Sequence, residues 1–103
     1  ATTEIYTLSL HDALPISFYD LEPQAPVHVL VIPKEHICCA DAVNEENVGN
    51  IAHIFTKIPE ITKSLGLTNG YRIVNNCGED GCQSVKHMHF HILGGKKLNG
   101  TMA

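Results

Sequence analysis

Between positions 87 and 92 polar and apolar side chains alternate: His87, His89 and His91 interleave with Met88, Phe90 and Ile92. Successive side chains of a β-strand point to opposite faces. The pattern therefore predicts a strand whose apolar row enters a core and whose other face carries three imidazoles. On a helix the same rings would fan out by about 100° per residue and could not act together. Residues 27–32 predict a second strand, rich in β-branched residues and closed by Pro33. A shorter strand is expected at 18–21, ended by Glu22-Pro23, with Pro23 and Pro26 stiffening the connector. After the turn signal Asn69-Gly70, residues 71–75 read as a strand with Tyr71, Ile73 and Asn75 on one face.

The pattern between these strands has a different period. Val48, Ile51, Phe55, Ile58, Thr62 and Leu65 recur at spacings of three and four, which predicts a helix with one core-facing stripe. Asp41 or Asn44 would cap its start, Glu45 and Glu46 would favour its first turn, and Gly66 would close it. Pro59 should kink or split it. His53 lies off the stripe and is expected at the surface; Lys34-Glu35-His36 reads as a solvated turn. The run 76–84 is a polar, glycine-bearing loop ahead of the histidines, of the kind that turns backbone N–H groups toward an anion. Residues 1–17 carry no clear period, and His11-Asp12 reads as a solvated turn.

Composition narrows the classes. A chain of 103 residues, 44% hydrophobic and 17% charged, fits one globular domain. No apolar run approaches the roughly 20 residues needed to cross a bilayer. The formal charge of −4 argues against broad nucleic-acid binding, which needs a basic face, though not against a nucleotide ligand. Cys38 and Cys39 are adjacent, and Cys77 and Cys82 lack a metal-finger spacing. With no secretory signal visible, reduced thiols and an intracellular, cytoplasmic location are expected.

Three imidazoles on one face support two chemistries. A neutral imidazole attacks phosphorus well, and a row of them divides into nucleophile, proton carrier and orienting partner. Alternatively, ring nitrogens at alternate strand positions can hold a catalytic zinc. Spacing alone leaves the two level. His28, by itself among apolar neighbours of its strand, reads as a packed histidine.

The residues resemble a known family. Gln83-Ser84-Val85-Lys86-His87-Met88-His89-Phe90-His91-Ile92-Leu93-Gly94-Gly95 is similar to the signature of the histidine triad (HIT) family, and its flanks look like the Hint branch, the purine nucleoside phosphoramidases. Segments 18–37 and 70–76 are similar to two further blocks of that branch, so the likeness runs from about Phe18 to Leu98. It implies an α+β fold: an antiparallel sheet of about five strands, one long helix packed on it, and a two-fold homodimer. It also implies hydrolysis of purine nucleoside phosphoramidates or acyl-adenylates to the nucleoside monophosphate through a nucleotidyl-histidine intermediate, with no metal or other cofactor.

Carried over by the resemblance, His89 is the nucleophile, His87 orients it, His91 contacts phosphate and His28 completes the network. Asp20 would accept the ribose hydroxyls, with Phe18 and Leu21 flanking base or sugar. Asn76 and Ser84 would hold the phosphate and assist the leaving amine, and the loop around Cys82, Gln83 and Ser84 would bind its oxygens. The dinucleoside polyphosphate hydrolase branch of the same superfamily and a weakly active nucleotide-binding or scaffold protein are the competing assignments.

Three departures from the family pattern stand out. Cys82 occupies a position where relatives usually carry glycine, the tail 98–103 lacks a tryptophan- and proline-containing end, and residues 1–17 resemble no part of the family. The last reads as an atypical segment, an assembly artefact, ahead of a domain at 18–103.

Overall fold

The structure is a computed structural model that describes residues 24–102 and, for the backbone alone, two strands before them: β1 (Ile5–Thr7) and β2 (Ile16–Tyr19). β3 (Val27–Ile32) has the predicted bounds. Its β-branched residues suit the pleat, and Pro33, without an N–H, cannot extend the ladder. β4 (Arg72–Val74) is shorter than the expected 71–75. β5 (Phe90–Gly94) contains only the last of the three histidines.

All pairings are antiparallel, in the order β1-β2-β3-β5-β4. Within residues 24–102 the sheet has three strands where about five were expected, and β2 and β1 continue it beyond β3. One long helix on an antiparallel sheet gives the α+β class.

That helix is α1 (Val48–Ser64). Its capping hydrogen bonds lie one turn before its first assigned residue. Asn44 Oδ1 accepts the N–H groups of Glu46 and Asn47 (2.8 and 3.0 Å), and the Val48 N–H donates to the Asn44 carbonyl (2.9 Å). Asn47 Oδ1 returns the favour to the Asn44 N–H at 2.8 Å, a reciprocal box built from two asparagines. Asn44 is therefore the cap, while Asp41 sits in a separate 3-10 turn, Ala40–Ala42. The helix continues through Pro59 rather than splitting there.

The expected core stripe is only partly right. The buried helix residues are Ile54, Ile58, Ile61 and Thr62, whereas Val48 and Phe55 are 46% and 49% exposed. Ile51 and Leu65 pack at the margin. Both sets satisfy a spacing of three and four, so the period could not choose between two neighbouring stripes. The sheet chooses, and Phe55 meets the core only through an edge contact with Phe90, ring centres 5.7 Å apart. His53, expected at the surface, is half-buried, with Nε2 enclosed and without a hydrogen-bond partner.

The core joins Val29 and Val31 of β3, Met88 just before β5, and Phe90 and Ile92 within it to Ile54, Ile58 and Ile61; Ile37 and Leu67 close its ends. Gly94 lies close against Leu67, since a Cβ there would come within 2.8 Å of Leu67 Cδ2 and the leucine would have to shift. The helix thus covers one face of the sheet. His28 and His91 alternate with these core residues and belong to the other face.

Candidate active site

Residues 87–89 keep the alternation of a strand without being in one. Met88 is buried while His87 and His89 are half-buried, yet the ladder to β3 stops at the Val31–Phe90 pair and the ladder to β4 at the Val74–His91 pair. The three aligned strand histidines are corrected accordingly: only His91 lies in β5. The cause is the neighbours' chemistry. β3 runs into Pro33, which offers no donor, so the segment is held by isolated bonds instead. Met88 N–H donates to the Ile37 carbonyl (2.6 Å), His87 Nε2 to the Pro33 carbonyl (3.1 Å), and Asn75 Nδ2 to the His89 carbonyl (2.8 Å).

These partners fix where the ring protons sit. A carbonyl oxygen only accepts, so His89 Nδ1, 2.8 Å from the His87 carbonyl, carries that ring's proton. The lone pair of a neutral His89 is then on Nε2. The Gln24 backbone N–H only donates, and it lies 3.0 Å from His28 Nδ1; His28 therefore carries its proton on Nε2. That proton is donated to His91 Nδ1 at 2.8 Å, which leaves the proton of a neutral His91 on Nε2. Ring centres of His28 and His91, and of His91 and His89, are each 5.1 Å apart. The row is thus His28–His91–His89. His87 stands outside it: its ring meets His36 edge-on at 5.0 Å, and what it offers His89 is its backbone oxygen.

The loop before this segment is a helical turn closed by a Schellman motif. Gln83 N–H donates to the Gly78 carbonyl and Cys82 N–H to the Glu79 carbonyl, each at 3.0 Å. The same pair of bonds ends α1, where Leu67 N–H reaches Thr62 and Gly66 N–H reaches Lys63. The residue between must take positive φ. In α1 it is Gly66, at 74°; in the loop it is Cys82, at 60°. The departure from glycine noted in the sequence therefore falls on a left-handed position, which disfavours a side chain.

Gln83, expected among the nucleotide contacts, is almost fully buried and its polar atoms are committed to the protein. Its Oε1 accepts from the Gly78 N–H (3.0 Å), and its Nε2 donates to the carbonyls of Cys38 (2.7 Å) and Val85 (3.0 Å). Its side-chain amide clamps the loop against the chain at Cys38. Cys82 and Ser84 are exposed and Asn76 is half-buried. Phe18 pairs with Leu30, which pairs with His91, so its register places it in the row of the histidines; its side chain, Asp20 and Leu21 lie outside the described residues.

Asn75 is the side chain that pattern reading undervalued, noted only as sharing a strand face. The contributions of Gln24, Pro33 and Ile37 are backbone atoms, for which no sequence signal exists. Among the described residues no three His, Cys, Asp or Glu side chains are grouped to hold a metal ion. A separate cleft of about 540 Å³, lined by residues such as Leu67, Asn69 and Lys97, lies at the opposite end of β4 and β5 and contains none of the expected site residues.

The family model described as HIT domain matches residues 4–98. An uncharacterized HIT-like protein of Rickettsia prowazekii is 46% identical over 89 residues, covering 84% of this chain and 74% of that protein. Among solved structures, a HIT family hydrolase from Clostridium thermocellum superposes with a TM-score of 0.88 at 36% identity, covering 100% of this chain and 88% of its own. A histidine triad protein from Clostridium difficile gives 0.86 at 38% identity, covering 98% and 86%. With its family model matching residues 4–98 and a relative 46% identical over 84% of its length, the chain belongs to the HIT domain family.

Proposed function

We propose that this protein is a purine nucleoside phosphoramidase of the Hint type, cleaving the P–N bond of nucleoside phosphoramidates or the mixed anhydride of acyl-adenylates. The observation that carries the reading is the 2.8 Å approach of His89 Nδ1 to the His87 carbonyl, an acceptor that assigns the ring proton to Nδ1 and leaves the lone pair of a neutral ring on Nε2. That atom attacks phosphorus, the P–N bond breaks, and the amine leaves with a proton from the Ser84 hydroxyl, which recovers it from the water of the next step, while Asn76 holds the phosphate. His91 donates its Nε2–H to a phosphoryl oxygen, in a ring orientation set by His28. Water then cleaves the Nε2–P bond and releases the nucleoside monophosphate. Phe18 and Leu21 would flank the purine, and Asp20 would take the ribose hydroxyls. The protein acts as a two-fold homodimer.

The test is turnover of adenosine phosphoramidate in the presence of a chelator. His89→Ala should lose at least about a thousandfold in kcat, the scale for removing a nucleophile. Activity abolished by chelator and restored by zinc would overturn the reading. One observation favours a second assignment, a nucleotide-binding protein with weak chemistry: the strained Cys82 in the loop expected to hold phosphate. AMP binding by calorimetry with no phosphoramidate turned over would select it.

A further inference from the structure

We propose that Asn75 is a positioning residue for the nucleophile, holding the main chain of His89 so that its ring keeps the proton on Nδ1 and the lone pair on Nε2. The inference rests on the reading of His89 as nucleophile and deepens it. β4 and β5 pair as far as Val74 and His91. Beyond that pair the strands make no backbone rung, and the side-chain amide of Asn75 supplies the missing donor, Nδ2 to the His89 carbonyl at 2.8 Å.

The bond matters because His89 is tethered to its own backbone. Its Nδ1–H returns to the carbonyl of His87, so the direction of Nε2 depends on how the chain runs from 87 to 89. Among the described residues that stretch has no ladder on either side. On the β3 side it is pinned through the Met88 N–H and the His87 ring. On the β4 side Asn75 holds the His89 carbonyl itself. Without this donor the carbonyl can rotate toward water, and the geometry that ties Nδ1 to His87 is free to relax. A carboxylate in its place would set a negative oxygen against the carbonyl dipole.

Asn75→Asp keeps the size and removes the donor; Asn75→Ala removes the side chain. Each should lower kcat for adenosine phosphoramidate by about ten- to a hundredfold with KM within about twofold, the scale of a lost hydrogen bond or a misplaced reacting group. In ¹⁵N spectra of the imidazoles, His89 should be in its Nδ1–H form in the unsubstituted protein and a mixture of tautomers in both variants, a change that a stability loss alone would not produce. The spectrum needs no substrate. A native chain that turns over no phosphoramidate sinks the functional reading and leaves the positioning role to be decided by the tautomer. Unchanged tautomer and kcat within about twofold in a folded variant overturn the positioning role; if the aspartate does not fold, the alanine decides.

Discussion

Cys82 shows how much one atom can say. A Cβ in the left-handed region costs about 1–2 kcal/mol, while glycine's greater freedom in the unfolded chain takes back about 0.5–1 kcal/mol. Cys82→Gly should therefore stabilise the protein by up to about 1.5 kcal/mol, a rise of several degrees in Tm for a domain of this size. If the same strain hampers the phosphate loop, kcat rises with it; a variant with lower Tm and lower kcat would contradict the Schellman reading. Gly66 in the matching turn of α1 is the internal control, and its closing role was readable from its place after the helical period. Cys82 was readable as a departure from the family, but the positive φ that gives the departure meaning comes from hydrogen bonds between backbone atoms.

Elements were legible where pattern and chemistry coincide. β3 has its predicted bounds because β-branched residues and a terminating proline act at once. The helix was legible as a helix but not in its rotation, since Val48–Phe55 and Ile54–Ile58–Ile61 keep equivalent spacing and only the position of the sheet separates them. The difference is measurable. Ile58→Ala should cost about 2–5 kcal/mol, as for a buried large-to-small change, and Phe55→Ala far less in the monomeric fold, read from denaturant midpoints. Equal losses would show that the expected stripe was right after all. The histidine segment failed in the opposite way: its alternation is real, but among the described residues no partner strand reaches 87–89. A period of two describes how side chains face, and it does not report whether the backbone has a neighbour.

At the scale of the molecule, the family and the α+β class were legible from the triad motif and the blocks between 18 and 98, although the family match begins at residue 4, inside the stretch 1–17 where the sequence showed no likeness. Oligomerisation is where the present chain makes its own demand. β4 is the last strand in the sheet order, with no strand beyond it among the described residues, while Val48, Phe55 and Tyr71 remain 40–49% exposed. Open edges and exposed large apolar side chains favour self-association. Light scattering coupled to gel filtration should therefore give twice the mass of the 11.3 kDa chain, and Phe55→Glu should shift it toward the single chain. A monomer at micromolar concentration would remove the homodimer from the proposal.

The sheet also works as a partition. Oily packing against α1 fills one side, and the linked rings of His28, His91 and His89 occupy the other. Changes in chemistry and changes in durability can therefore be made almost independently: a lineage, or an engineer, could retune the reacting rings without reopening the interior, and harden the interior without touching the reaction.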